Sequence, residues 1–212
     1  MSFALHPITP DEIPTLITIH DAAFADDVSM NLMYNLSGDK TDFMNFIRNS
    51  LLTNPTSRFF KAVDANGEIM GWSWWSIYLD GEKHAEDAAA TIEHQKTPPK
   101  DSPCPELYLD YHRDVAKRRE KWVTGKPASI LQAIAVGPKH QRKGVGSALV
   151  WAGLDEAKRH GLPTWLEASS AGRKLYEKCG FRDVGEPIDI DLNKYGGNEQ
   201  VRVVCMLHDV PS

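Results

Sequence analysis

Apolar positions change rhythm along the chain, and the changes divide it into elements. Residues 3–8 read as a short strand running into a helix. Thr9 is a capping residue, Pro10 suits a first turn, and Ile13, Leu16, Ile17, Ile19 and His20 follow at near-helical spacing. Residues 24–36 carry Phe24, Val28, Leu32 and Leu36 four apart, and residues 41–52 repeat that spacing with Phe43, Ile47 and Leu51. Two or three helices are therefore predicted before any central strand. Residues 58–64 and 68–79 are rich in aromatic and β-branched side chains, and Asn66-Gly67 between them is a strong hairpin signal.

From 80 to 105 the chain turns polar, then alanine-rich, then proline-rich, with Pro98, Pro99, Pro103 and Pro105; a mobile loop is expected there. Residues 106–123 have helical propensity, and Gly125 and Pro127 stop them. The second half is sharper. Residues 130–136 form a nearly unbroken apolar run, as a strand covered on both faces would, and end at Gly137-Pro138. A helix over 144–160 closes at Gly161 and Pro163. A short strand over 164–168, a short helix over 170–179 and segments 180–187 and 199–207 complete the predicted sheet.

Composition narrows the class. At 212 residues, 42% hydrophobic and 25% charged, one domain with a full core is expected over 1–212. A net charge of -5 argues against nucleic acid as main partner, because phosphate binding needs a concentrated basic face. The run Arg113, Lys117, Arg118, Arg119 and Lys121 is interleaved with Asp114 and Glu120 and reads as an exposed helix face. There is no apolar run of about 18 residues and no basic start leading into one, so no membrane partner is expected. Three widely spaced cysteines fit a reducing, cytoplasmic setting. His84, His94, Glu86, Asp87 and Glu93 lack a compact ligand motif and read as a solvated loop, so no metal is expected.

The segment 134–148 carries the candidate chemistry. A strand leads by a tight turn into a helix whose start includes Gly144 and Gly146, so unpaired N–H groups converge at the positive end of the helix dipole. That is an anion site, and Lys139, Arg142 and Lys143 add positive charge around it. Glycine at 144 and 146 is expected to let a diphosphate approach the amides. A dinucleotide fingerprint fails because residue 149 is leucine, and a P-loop fails for want of Gly-Lys-Ser or Gly-Lys-Thr.

Gln141, Gly144 and Gly146 after an apolar strand, followed downstream by Leu175-Tyr176-Glu177-Lys178-Cys179-Gly180-Phe181, resemble the two marks of the GCN5-related N-acetyltransferase (GNAT) family. The resemblance covers 129–207. It implies an α/β (α+β) fold with a central, mixed, mostly antiparallel sheet of six to seven strands, splayed at the cofactor strand and flanked by helices. It makes 80–128 an insertion of loop plus helix. It implies acetyl-CoA as co-substrate, its pantetheine arm paired with backbone of Ile134, Ala135 and Val136, and its diphosphate met by Gln141 and the N–H groups of Arg142, Lys143, Gly144, Val145, Gly146 and Ser147.

Tyr176 stands where the family's tyrosine protonates the departing thiolate. Ser169 stands where it often has a cofactor-contacting asparagine, and Gly172, a turn before Tyr176, is expected to leave room for the pantetheine end. Glu167, near the end of its strand, is the first candidate for general base; Gln132 cannot act as one. Period two puts Trp72 and Trp74 on one face of the hairpin and Trp75 on the other, so Trp72 and Trp74 are candidates for an aromatic wall at an acceptor amine. The implied activity is acetyl transfer to an amino group of a small molecule or peptide by a monomer or homodimer. The alternatives are a non-catalytic acyl-CoA-binding module and an O-acyltransferase.

Overall fold

In the computed structural model, which describes residues 2–210, the chain opens with β1 (Phe3–Pro7), a 3-10 turn at Pro10–Glu12, α1 (Ile13–Ala23), α2 (Val28–Tyr34) and α3 (Thr41–Thr53). The hairpin β2 (Ser57–Asp64) and β3 (Ile69–Tyr78) follows, then α4 (Gly81–His94) and α5 (Pro105–Trp122). The second half runs β4 (Ala128–Val136), α6 (Val145–Arg159), β5 (Thr164–Ser169), α7 (Arg173–Lys178), β6 (Arg182–Asp183), β7 (Ile188–Asp191) and β8 (Gln200–His208). One eight-stranded sheet results, ordered β1-β2-β3-β4-β5-β8-β6, with β7 also paired to β8. Among the described residues only β4 and β5 run parallel; every other pairing is antiparallel. The predicted mixed sheet is therefore present, with one strand more than expected.

Period-two alternation distributes the side chains between two helical layers. Trp72 and Trp74 face α1 and α3, where Ile13, Leu16, Ile17 and Ile47 close over them. Trp75, Leu131 and Leu166 face the other way, onto Val150 and Leu154 of α6, Tyr176 of α7 and Cys179 just after it. Ile130 and Trp165 return to the first face, where Val123 and Trp122 at the end of α5 cover them. The apolar run of β4 is thus covered on both sides, which is why it carries no polar alternation.

The structure departs from expectation at four points. The segment 80–105 is not a loop throughout: Asp80 caps α4, its carboxylate accepting from the Glu82 N–H at 2.9 Å. The alanines and charged residues there are good helix formers, and the prolines start only after the helix has ended. His84, expected in solvent, is buried, its ring stacked on Tyr78 at 4.3 Å and its Nδ1 2.8 Å from the Lys126 carbonyl. The helix predicted over 24–36 is shorter, because Asp27 caps it late and Asn35 ends it in the left-handed region at φ 45°. Finally, β7 was absent from the sequence reading: four residues, Ile188–Asp191, are too few for periodicity to declare.

Cys179 and Cys205 are buried and Cys104 partly so, all as free thiols. Among the described residues no helix is long and apolar enough to cross a membrane.

Candidate active site

The site begins with a fork in the sheet. β4 and β5 pair only at Ser129↔Thr164 and Ile130↔Trp165. Beyond those two rungs β4 stays paired with β3 as far as Val136, and β5 stays paired with β8. The edge of β4 facing the fork is therefore unpaired from 131 to 136, which includes Ile134, Ala135 and Val136. A β-bulge adds to the divergence: Trp74 pairs with Ala133 and Trp75 with Leu131, so Gln132 is the extra residue.

At the wide end of the fork β4 runs through Gly137 and a 3-10 turn, Pro138–His140, into α6. Gln141 ties the turn down, its side-chain amide donating to the Val136 carbonyl at 3.1 Å. Arg142 and Gly144 both adopt left-handed backbone, at φ 59° and 85°. For arginine that conformation is uncommon. The result is a concave run of main-chain nitrogens: among the described residues, no protein acceptor takes the N–H groups of Arg142, Lys143, Gly144, Val145, Gly146 or Ser147. Unpaired N–H groups at a helix start attract anions.

The two glycines differ. Gly144 faces open space and is required by its positive φ. A side chain on Gly146 would point inward, 3.1 Å from Leu175 Cδ2, so this glycine lets α7 approach α6 rather than clearing a path to the amides. Val145 is buried against Leu149 and Met70 and offers only its N–H. Of the basic residues, Lys139 pairs with Glu68 and Lys143 Nζ donates to the Lys139 carbonyl, while the Arg142 side chain is exposed without a protein partner among the described residues.

Tyr176 lies under the fork. Its ring packs among Leu131 of β4 and Leu166 and Ala168 of β5, with Phe181 edge-on at 6.0 Å. Burial pushes its phenol well above the ordinary tyrosine range, so it stays protonated. Gly172 makes room for this ring, which lies 3.0 Å from where a Cβ would be. Ser169 is exposed and its hydroxyl accepts from the Gly172 N–H at 3.3 Å, a local cap that starts α7 late.

Glu167 and Tyr176 lie on opposite faces of the sheet. Glu167 faces α5, where Arg119 Nε and Nη2 donate to its two oxygens at 2.8 and 2.7 Å, and the Trp165 indole donates at 2.6 Å. A carboxylate has about four lone-pair sites, so roughly one stays open. Arg119 was expected on an exposed helix face; it turns inward instead. Burial opposes its charge, but adjacent Glu167 outweighs that and raises its pKa. Arg119 also reaches Gln132 Oε1 at 3.4 Å, and Gln132 donates to Ser76 at 3.1 Å. No sequence signal separates Arg119 from its exposed neighbours except its place on the stripe Tyr108, His112, Val115, Arg119 and Trp122.

The aromatic wall is corrected. Trp72 is fully buried and its indole donates to the Leu16 carbonyl at 2.9 Å, making it core. Trp74 is half-buried, stacked on Phe59 and bonded to Ser57. Among the described residues no group of three or more His, Cys, Asp or Glu side chains could hold a metal.

An open strand edge running into unpaired helix-start amides is a site for an extended ligand ending in phosphate. The sequence model of the Acetyltransferase (GNAT) family matches residues 31–181, and the chain belongs to that family. It is 41% identical over 59 residues to the Escherichia coli K12 enzyme that acetylates the alanine of ribosomal protein bS18, a match covering 26% of this chain and 40% of the relative's length. Arylalkylamine N-acetyltransferase 2 of Aedes aegypti superposes with a TM-score of 0.71 at 14% identity, over 100% of both chains. A Salmonella typhimurium acetyltransferase solved with its cofactor acetyl-CoA gives 0.60 at 12% identity, over 100% of this chain and 96% of that one. These structures share the fold.

Proposed function

We propose that the protein transfers an acetyl group from acetyl-CoA to an amino group of a small molecule or peptide. The observation that carries this reading is the continuity of the unpaired β4 edge with the free N–H groups of 142–147. The residues present fit the co-substrate: an amide-bearing arm pairs with a strand edge, and a diphosphate seats on helix-start amides. Bound there, acetyl-CoA supplies an activated thioester. The acceptor approaches from the face that holds Gln132, Arg119 and Glu167, opposite α6 and α7.

In this reading the amine nitrogen forms its bond to the thioester carbon as the carbon–sulfur bond breaks. Tyr176 gives its proton to the departing thiolate, and Glu167 takes the amine proton through its remaining lone-pair site, directly or through one water. Much of the rate comes from holding two reactants in line. The E. coli relative acetylates an alanine of a ribosomal protein and the Aedes neighbour is an arylalkylamine N-acetyltransferase, so both acceptor classes belong in the assay.

The test is thiol release from acetyl-CoA across primary amines and N-terminal peptides, with mass spectrometry of the acceptor. Acetylated amine is expected. Slow hydrolysis with no acceptor consumed would favour a non-catalytic binding module, and an acetylated hydroxyl an O-acyltransferase. A second expectation concerns the loop. Gly144→Val puts a β-branched side chain at φ 85°, costing on the order of 1–2 kcal/mol in that conformation and reshaping the amide concavity. CoA affinity by calorimetry should fall at least about tenfold. Lys143→Ala, which removes charge but no amide, should change it by less than about threefold.

A further inference from the structure

The fork needs something to set its width. Two parallel strands with unpaired facing edges would gain hydrogen bonds by closing, yet β4 and β5 separate after two rungs. Two residues past those rungs on each strand, a belt of side-chain hydrogen bonds crosses the gap. It runs from Ser76 of β3 to the bulged Gln132 of β4, then to Arg119 of α5, then to Glu167 of β5 and on to Trp165. Arg119 is the one member that touches both sides of the fork. Its guanidinium is planar and its donors are fixed relative to one another, so holding Glu167 by two of them orients the third toward Gln132. The belt lies on covered ground: the Glu167 side chain is 8% exposed and that of Arg119 22%.

We propose that Arg119 is a positioning residue for acyl transfer: by tying Glu167 on β5 to the bulge of β4, it sets the width of the fork that receives the acyl-CoA arm. The inference rests on the acyl-CoA reading above. It also gives the segment between β3 and β4 a task, since α5 supplies the side chain that spans the two strands.

The test uses the full chain in three forms: wild type, Arg119→Lys and Gln132→Met. Lysine keeps a positive charge beside Glu167 but, as a point donor, cannot hold carboxylate and amide together. Gln132→Met cuts only the β4 end of the belt and uncovers no charge. CoA affinity, KM for acetyl-CoA, kcat with the best amine and the melting midpoint are measured on each. A misplacement of about 1 Å costs on the order of 100-fold in rate. Arg119→Lys should therefore lower kcat by about ten- to 100-fold and raise KM for acetyl-CoA, and Gln132→Met should move both in the same direction by about threefold or more. Both changes should appear in fully folded protein.

Wild-type kinetics and CoA affinity in both variants would overturn the assignment, as would losses confined to the melting midpoint. If Arg119→Lys fails to fold, Gln132→Met alone decides. Wild-type protein that binds no CoA would sink the acyl-CoA reading, and the positioning role with it.

Discussion

Replacing Tyr176 by phenylalanine should lower kcat at least tenfold while leaving CoA affinity within about twofold, since a positioned general acid contributes about 10²- to 10⁴-fold. The substitution removes one oxygen from a buried ring and leaves its packing against Leu131, Leu166, Ala168 and Phe181 in place. Among the described residues the phenol has no hydrogen-bond partner, so no protein group is orphaned when the hydroxyl goes. Burial raises its pKa, which puts loss of the acid on the alkaline side of the ordinary tyrosine range. The wild-type rate should therefore show no alkaline fall from Tyr176 near pH 10, the ordinary tyrosine value. Steady-state kinetics at saturating acetyl-CoA, beside calorimetry, check both parts; unchanged turnover would remove Tyr176 from the chemistry.

The largest stability effect is expected at Arg119. Arg119→Met leaves Glu167 without a counter-charge at a side-chain exposure of 8%. Breaking a buried pair from one side costs about 3–5 kcal/mol. For a chain of this size that corresponds to a fall of roughly 10 °C in melting midpoint. Adding Glu167→Leu removes the stranded charge and should recover most of the loss. Thermal denaturation of the single and double variants measures this, and equal midpoints for both would show that the pair carries no such coupling.

Much of the fold was legible because long elements declare themselves by period. The apolar run of β4, the helix after it and the Asn66-Gly67 hairpin all lie close to where the sequence places them. The turn before α6 was legible for a similar reason: glycine at 144 is demanded by a backbone angle and leaves its mark in the sequence. Other features depend on contacts between distant segments. α4 was missed because polar, alanine-rich sequence suits either a helix or a solvated loop, and what decides is the Asp80 cap and the place of His84 on Tyr78.

Glu167 is a candidate the sequence offers, but the partners that hold it are not legible there. Arg119 stands 48 residues away, and nothing in its neighbours shows that it turns inward. Gly146 and Gly172 were read as space for a ligand, whereas they accommodate Leu175 and the Tyr176 ring. Trp72 and Trp74 share a face as expected, but only contacts show that one is sealed in the core and the other half-open.

The two-rung contact between the halves of the sheet has a consequence for how sequence can vary here. A ligand read by peptide groups sees the same N–H and C=O pattern whatever side chains the strand bears, provided the strand stays extended. On the proposed acyl-CoA reading, drift in amino acids at 134–136 would leave recognition nearly untouched, while a single altered backbone angle at 144 would not. A shared fold can then persist where only 14% of residues agree, as with the Aedes enzyme.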